Sequence, residues 1–186
     1  NILDESPSQC ELLQLDSPVL TNAEFAAMRE HMGETAVVID CTMPVGVEGS
    51  LKEALGRIRH EAADAVRRGA THVILTDEHI SDDRAPVPMI LATGAVHTYL
   101  IRQSLRTFTS LNVRTGECMD VHYFAVLIGC GATCVNAYLA QEAIADRQAR
   151  GLFGDMSLAD CMKQFKKAID EGLLKVMSKM GISIVS

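Results

Sequence analysis

Short apolar runs alternate with longer amphipathic segments along this chain. Ala36–Asp40 and His72–Thr76 are rich in β-branched side chains and end beside carboxylates, as buried parallel strands often do. Between them we predict a loop over residues 41–49 and then a helix, because residues 50–69 place apolar side chains at helical spacing up to a glycine. A strand, a helix and a strand in this order predict a βαβ unit with parallel strands.

Local signals predict where the neighbouring helices begin and end. Capping-box spacing at residues 21–24 predicts a helix that ends near His31, and the same spacing at residues 50–53 predicts the start of the helix in the βαβ unit. The prolines within residues 85–88 suit a first helical turn, which predicts a helix from there to about Arg106.

The second half of the chain continues the alternation. Residues 110–113 are predicted to form a strand, and apolar side chains over residues 121–128 recur at the spacing of a helix. Further helices are predicted over residues 139–150 and after Ser157, whose hydroxyl is placed to cap the helix. A last apolar run, residues 182–185, predicts a final strand.

A short internal repeat supports the same architecture. The sequence GATHV at residues 69–73 recurs as GATCV at residues 131–135, each time between an amphipathic helix and an apolar run. A glycine that ends a helix and leads into a strand is the expected connection of a repeated α/β unit. We therefore predict an α/β fold of repeated βα units with a mainly parallel sheet, resembling a partial or degenerate (β/α) barrel.

Composition narrows the classes of partner. The 186 residues are 48% hydrophobic, enough for one globular domain with its own core. Seventeen basic against 24 acidic residues give a net charge of −7, which argues against nucleic acid or an anionic membrane as a partner. The uncharged residues 121–141 could span a bilayer by length, but glycines and polar residues interrupt them, and we interpret them as buried structure.

Cysteine usage and the chain ends bear on compartment and completeness. The six cysteines lie in apolar surroundings, which predicts reduced thiols in a cytoplasmic protein rather than a disulfide framework. The chain begins with Asn1, shows no signal peptide, and its last apolar run has barely started at Ser186. We expect a fragment of a longer polypeptide.

Four residues are candidates for acid–base chemistry. Asp40 and Asp77 end two predicted parallel strands, where α/β proteins place their sites, although capping or ion pairing is the simpler interpretation. His97 and His122 lie beside apolar faces of predicted helices. Acid–base catalysis by either histidine requires a carboxylate or nucleophile to converge on it.

Metal and anion sites are weakly indicated. Cys130 and Cys134 have C-x₃-C spacing, but a second pair of ligands is missing, and buried thiols are the better interpretation. Arg102 and Arg106 are expected on one helical face, with Arg114 close behind, and could bind an anion; structural ion pairs are the favoured alternative. The residues alone predict no complete active site.

Several segments resemble a known family in the identity of their residues and not only in the spacing of apolar positions. Residues 85–97, APVPMILATGAVH, residues 115–117, TGE, and residues 121–127, VHYFAVL, resemble the central domain in the glutamate synthase large-subunit family. Residues 172–183, GLLKVMSKMGIS, resemble the opening of that family's FMN-binding synthase domain. The chain departs from the usual residues at a few positions, which bear on fine packing: Tyr99, Cys130, Cys134 and Ala137.

The resemblance implies a division of labour in the longer enzyme. An amidotransferase domain hydrolyses glutamine, and ammonia passes through an internal tunnel to a (β/α)₈ synthase domain, where flavin-dependent reduction with 2-oxoglutarate gives glutamate. Electrons reach FMN through a 3Fe-4S cluster, in the usual bacterial class from NADPH bound by a separate small subunit. The implied partners are the two neighbouring domains and the small subunit.

For this chain the resemblance implies a scaffold that links the catalytic domains and shapes the tunnel. Residues 1–155 are expected to be the C-terminal part of the central domain, and residues 156–186 to supply linker helices and the first strand of the synthase domain. Met180, Gly181 and Ile182 are the only residues expected near FMN, at the end of that strand. No catalytic residue, metal ligand or bound cofactor is expected in this fragment.

Two other classes of function stay open from the sequence. One is a free-standing small α/β enzyme that uses Asp40, Asp77 and a histidine. The other is an interaction module that regulates a separate partner chain.

Overall fold

The computed structural model describes residues 13–185, which form a four-stranded parallel sheet flanked by helices, with a two-stranded ribbon at its side. The strands are β1 (Ala36–Asp40), β2 (Thr42–Pro44), β3 (His72–Thr76), β4 (Arg84–Pro86), β5 (Ser110–Arg114) and β6 (Cys134–Asn136). The helices are α1 (Asn22–Met32), α2 (Ser50–Arg67), α3 (Met89–Arg102), α4 (Val121–Gly129), α5 (Tyr138–Ala149) and α6 (Leu158–Met180).

The sheet has the order β1-β3-β5-β6, and every pair is parallel. Beyond β6, the segment around Val19 adds a parallel bridge to Val135, with hydrogen bonds from Leu20 N to Val135 O (2.9 Å) and from Val135 N to Pro18 O (2.7 Å). The described strands do not close into a barrel. The predicted α/β fold of repeated βα units with a parallel sheet is confirmed.

The two faces of the sheet are covered unequally: helices α2, α3 and α4 pack on one face, and α1 packs on the other. Side chains alternate along each strand, so Val73 and Leu75 of β3 face the main core with helices α2 to α4, whereas Ile74 faces a smaller cluster with α1. The long helix α6 lies outside α4 and approaches it closely at Gly172. A Cβ atom at Gly172 would lie 2.6 Å from Val121 Cγ1, so this crossing requires glycine.

Most predicted helix limits are confirmed. Thr21 caps α1 with a full capping box that includes Glu24, and Ser157 caps α6 through the backbone N–H of Asp160. The second predicted box is wrong, because Gly49 is the N-cap of α2 and Ser50 already lies inside the helix. Without a side-chain acceptor at the cap position, the box cannot form.

The two-stranded ribbon was not predicted. Strand β2 lies inside the expected loop, and β4 occupies the residues expected to begin a helix, so that α3 starts only at Met89. Pro86 suits an edge ribbon, because an edge residue needs no N–H donor on its outer side, and Pro88 is the N-cap of α3. Helix α3 also ends at Arg102, which leaves Arg106 in a separate short 3-10 turn.

The predicted strand over residues 182–185 is wrong within the described chain. These residues form no strand and no helix, and Ile184 is 76% exposed. An apolar run becomes a strand only where a neighbouring strand accepts its hydrogen bonds, and no strand among residues 13–185 does so.

Candidate functional site

The carboxyl ends of the parallel strands bring the predicted carboxylates to one edge of the sheet. Asp40 ends β1, Asp77 and Glu78 follow β3, and Arg114 ends β5. This is the edge at which open α/β sheets bind ligands. Asp40 and Asp77 therefore lie at the carboxyl edge, as predicted from the sequence. Their side-chain contacts decide what they can do there.

Asp77 is buried and fully engaged by the next βα loop. Only 2% of the residue is exposed, and its carboxylate accepts hydrogen bonds from Thr115 Oγ1 (2.6 Å) and from Gly116 N (3.0 Å). Burial raises the pKa of Asp77 above its usual value, against the lowering effect of these two hydrogen bonds and of the Tyr138 hydroxyl. Asp77 holds two loops together and is closed to a ligand in solvent.

Glu117 stabilises the start of α3, a helix that precedes it in the chain. Its Oε2 accepts the backbone N–H of Met89 at 3.0 Å, in the first turn of α3, where a negative charge also complements the helix dipole. The Tyr123 hydroxyl donates to the same oxygen. Burial and this hydrogen bond raise the pKa of Tyr123, so the phenol stays protonated and keeps donating.

Arg114 makes an ion pair, as the sequence favoured. Its Nε lies 2.8 Å from Glu78 Oε1 and its Nη1 donates to Asn136 Oδ1 at 2.5 Å. The guanidinium lies over two aromatic rings, 5.1 Å from the centroid of Phe25 and 5.0 Å from that of Tyr138. Stacking and hydrogen bonds therefore fix its plane.

Asp40 is also paired, through the ribbon that the sequence did not reveal. Its Oδ2 lies 3.1 Å from Arg84 Nη2 on β4, and its Oδ1 accepts the N–H of Thr42 at 3.0 Å. Of the two simpler interpretations of Asp40, capping or ion pairing, the structure shows ion pairing.

The histidines do not converge on these carboxylates. His97 lies at the opposite, amino edge of the sheet, where its Nδ1 accepts a hydrogen bond from Arg106 Nε at 3.1 Å. Burial and the nearby guanidinium lower the pKa of His97. Arg106 also donates to Thr109 O (2.7 Å) and Gly131 O (2.9 Å), and His122 is exposed on α4. The expectation that Arg102 and Arg106 share a helical face is wrong, because α3 ends between them.

The cysteines behave as buried thiols. Cys41, Cys118, Cys134 and Cys161 are buried and free, and Cys130 is free and half-buried; Cys10 lies outside the described residues. Burial raises the pKa of Cys134 to about 12, which keeps the thiol protonated at neutral pH. Within residues 13–185, no group of three or more cysteine, histidine or carboxylate side chains is placed to hold a metal ion.

Met180, Gly181 and Ile182 form the end of α6 rather than the end of a strand. Gly181 N donates to Ser178 O (3.4 Å) and Ile182 N to Met177 O (2.9 Å), the pairing of a Schellman motif. Met180 is 68% exposed.

Sequence reasoning missed the residues that complete the carboxyl edge. Glu117, Tyr138 and Gln141 act through partners distant in sequence, and Tyr123 acts on Glu117, six residues before it; Gln141, for example, accepts the N–H of Asn22 at 2.7 Å. The one available signal was the Thr115–Gly116 turn directly after β5, which places a hydroxyl and a free N–H beside the neighbouring strand end. Across the described chain the titratable groups of this edge are bonded to one another and form no open set of acid, base and nucleophile.

Hydropathy adds one finding. Among the described residues, no helix combines the length and the apolar character that crossing a bilayer requires.

Comparison with known proteins gives a consistent result over the whole chain. The family described as the glutamate synthase central domain matches residues 1–186. The chain is 68% identical, over 187 positions, to the glutamate synthase [NADPH] large chain of Azospirillum brasilense, and 37% identical, over 201 positions, to the ferredoxin-dependent glutamate synthase of Spinacia oleracea.

Each of these alignments covers 100% of this chain and 12% of the relative. The glutamate synthase [NADH] of Schizosaccharomyces pombe is 37% identical over 98% of this chain and 9% of its own length. The chain thus spans about one eighth or less of the curated relatives that it matches. With the parallel α/β fold and the motifs of residues 85–97 and 121–127 in place, this chain belongs to the glutamate synthase central-domain family.

Proposed function

We propose that this chain is a non-catalytic domain of a glutamate synthase large chain, which joins the amidotransferase and synthase domains and shapes the ammonia tunnel between them. The observation that carries the proposal is the match over the whole chain to large chains of which it forms only 12%. A domain with this share of a larger enzyme contributes by position unless it carries a complete site of its own.

The contacts at the carboxyl edge support a structural role. Asp77 ties the loop after β3 to the turn after β5, and Glu117 ties that turn to the start of α3. Because a buried carboxylate is costly unless it is hydrogen-bonded, such links keep the loops in one arrangement. Rigid loops at this edge suit the wall of a passage.

The activity proposed for the whole polypeptide is glutamate synthesis from glutamine and 2-oxoglutarate. FMN would supply the hydride that reduces the imine, and a 3Fe-4S cluster would carry electrons to it. The 68% identity to an NADPH-dependent large chain favours NADPH as the donor, bound by a small subunit, over ferredoxin or NADH. Free, buried thiols among the described cysteines support the cytoplasm as the compartment.

The contact of Met180, Gly181 and Ile182 with FMN stays a prediction. The exposed apolar side chains of Met180 and Ile182 suit packing against a flat ring, but the N–H groups of Gly181 and Ile182 already bond to helix carbonyls. The segment also has no charged group for a phosphate. It therefore fits a ring contact only, and no step of the reaction is assigned to it.

We also propose the boundary after residue 155. The loop between α5 and α6 carries Gly151 and Gly154, and the long helix α6 starts only at Leu158. A glycine-rich turn before a long capped helix is a common place for one structural unit to pass into the next.

The proposal is tested in the full-length large chain assembled with its small subunit. Asp77→Ala removes the link between two loops of the carboxyl edge, and we expect glutamine hydrolysis to continue while more of the ammonia escapes to solvent instead of reaching glutamate. The matched control is Asp82→Ala, an exposed carboxylate on the loop that follows β3. The ratio of free ammonia to glutamate formed is the measurement.

Two results would overturn the proposal. One is an unchanged ratio for Asp77→Ala in a folded enzyme. The other is stoichiometric FMN binding or glutamine hydrolysis by residues 1–186 alone, because either would give this chain a complete site of its own.

A further inference from the structure

A cleft opens between α1 and the carboxyl edge of the sheet. Its volume is about 520 Å³, within the range of small-molecule sites in proteins. Its lining is mostly polar and comes from α1 and from the ends of β3 and β5: Asn22, Phe25, Ala26, Arg29, Glu30, Gly33, Glu78 and Arg114.

The cleft lies close to a switch point of the sheet. The segment around Val19 lies beside β6, and the chain leaves these two neighbours toward opposite faces of the sheet. Helix α1 follows the Val19 segment and covers the face with Ile74, whereas Ala140 of α5, after β6, lies in the core of the other face. A switch point of this kind opens a crevice at the carboxyl ends of the strands, where open α/β sheets bind ligands, and the cleft lies next to it at the ends of β3 and β5.

Arg114 is an anion-binding group already held in place. The Phe25 and Tyr138 rings both lie at cation–π distance from its guanidinium, Glu78 binds Nε and Asn136 binds Nη1. Asn136 is itself fixed, since its Nδ2 donates to Leu20 O at 3.0 Å. Among the described residues Nη2 has no hydrogen-bond partner, so both of its N–H groups remain for a ligand. A fixed donor loses little entropy on binding.

The remaining charges of the cleft are one cation and one anion. Arg29 and Glu30 both line it from α1, and neither forms an ion pair with another residue in the described part of the chain. Glu78 is already neutralised by Arg114. The open groups therefore offer two guanidinium faces and one carboxylate within a single small cleft.

We propose that this cleft binds a small α-amino acid as a zwitterion, with the ligand carboxylate on Arg29 and Arg114 and its ammonium group on Glu30. Guanidinium groups match a carboxylate in a paired, planar geometry, and a carboxylate is the natural acceptor for an ammonium group. A simple anion would leave Glu30 without a partner and would place a second negative charge close to the Glu30 carboxylate. This site does not depend on the proposed scaffold role, because it concerns only residues of the described fold.

The test uses the full-length large chain with its small subunit and three matched probes. L-Alanine carries both charges, propionate lacks the ammonium group, and ethylamine lacks the carboxylate. Saturation-transfer NMR titrations give a dissociation constant for each probe. We expect saturable L-alanine binding and affinities at least about tenfold lower for propionate and ethylamine, which is about 1.4 kcal/mol.

Variants assign the binding to the cleft. Arg29→Gln and Glu30→Gln each remove one charge from an exposed helix position, and each should weaken L-alanine binding at least about tenfold without changing the circular dichroism spectrum. Arg68→Gln, at an exposed position at the end of α2, is the charge-matched control and should leave the affinity unchanged. Absence of L-alanine binding, equal binding of propionate, or an unchanged affinity in Arg29→Gln would each overturn the proposal.

Discussion

Two helix-to-strand turns of this domain share almost the same sequence but lie in different surroundings. Gly69 and Gly131 follow α2 and α4, with φ angles of +100° and +109°. The next residue of each turn donates its N–H back to the helix at 3.0 Å, Ala70 to Ala65 O and Ala132 to Leu127 O. Nearly identical pentapeptides therefore build nearly identical backbone turns.

The difference is what faces each glycine. A Cβ atom at Gly69 would meet nothing within 4 Å, whereas one at Gly131 would lie 2.2 Å from His97 Nδ1. His97 is held there by Arg106, which also binds the carbonyl of Gly131. One turn thus needs glycine for its backbone alone, and the other needs it for backbone and space. Local sequence determines the turn, and distant side chains determine its tolerance.

The largest expected effect separates the two glycines directly. Gly131→Ala combines a left-handed backbone with a clash against a held side chain, and we expect it to lower the free energy of unfolding by about 3–5 kcal/mol. Gly69→Ala introduces only the strain of a left-handed backbone, and we expect it to lower the free energy of unfolding by about 1–2 kcal/mol. Urea unfolding of both variants measures the difference, and equal losses would contradict this comparison.

Removing the clamp at the second turn comes next in size. Arg106→Ala leaves the carbonyls of Thr109 and Gly131 without their side-chain donor, and we expect a loss of about 2–3 kcal/mol in the free energy of unfolding. Arg68→Ala, beside the first turn and exposed, should change it by less than about 0.5 kcal/mol. If both arginines cost the same, the clamp has no specific role.

A double-mutant cycle tests whether His97 is the obstacle. Adding His97→Ala to Gly131→Ala removes the atoms that the new Cβ meets, and we expect it to recover about 1–2 kcal/mol. The same histidine substitution added to Gly69→Ala should show no coupling. Coupling of similar size in both cycles would mean that His97 acts on overall stability and not on the second turn.

The smallest effect is a pH dependence that belongs to the second turn. The pKa of His97 is lowered in the folded protein, so its contribution to stability is present above the ordinary histidine pKa of about 6.5 and is lost as the pH falls through the lower, folded-state value. Because His97 is partly exposed, we expect less than about 1 kcal/mol. His97→Gln should flatten the unfolding free energy between pH 7 and pH 5 relative to the parent; an unchanged slope would contradict the assignment. His72, whose pKa is also lowered, is present in both proteins and cancels in the difference.

The repeated turns show which features could be predicted from the sequence. Strands Ala36–Asp40 and His72–Thr76 and the capped helices α1 and α6 follow from periodicity and from caps within a few residues, and they form as predicted. The parallel order follows from the βαβ rule, which also placed Asp40 and Asp77 at one edge.

Features that depend on residues far apart were not predictable in the same way. The β2–β4 ribbon pairs Thr42 with Pro86, and neither segment carries a local strand signal strong enough to reveal the other. Asp77 was recognised as a candidate, but its partners Thr115 and Gly116 lie 38 and 39 residues away. The family resemblance identified the domain, and it left these contacts unspecified.

The close contact of Gly172 with Val121 fixes the angle at which α6 crosses α4. Helix α6 is 23 residues long, and Gly172 touches Val121 about 12 Å of helix before its last residue, Met180. A side chain at Gly172 that tilted the helix by about 10° about this pivot would move its end by roughly 2 Å. The absence of a side chain at Gly172 therefore determines the direction of α6, and with it the direction in which the chain leaves Met180.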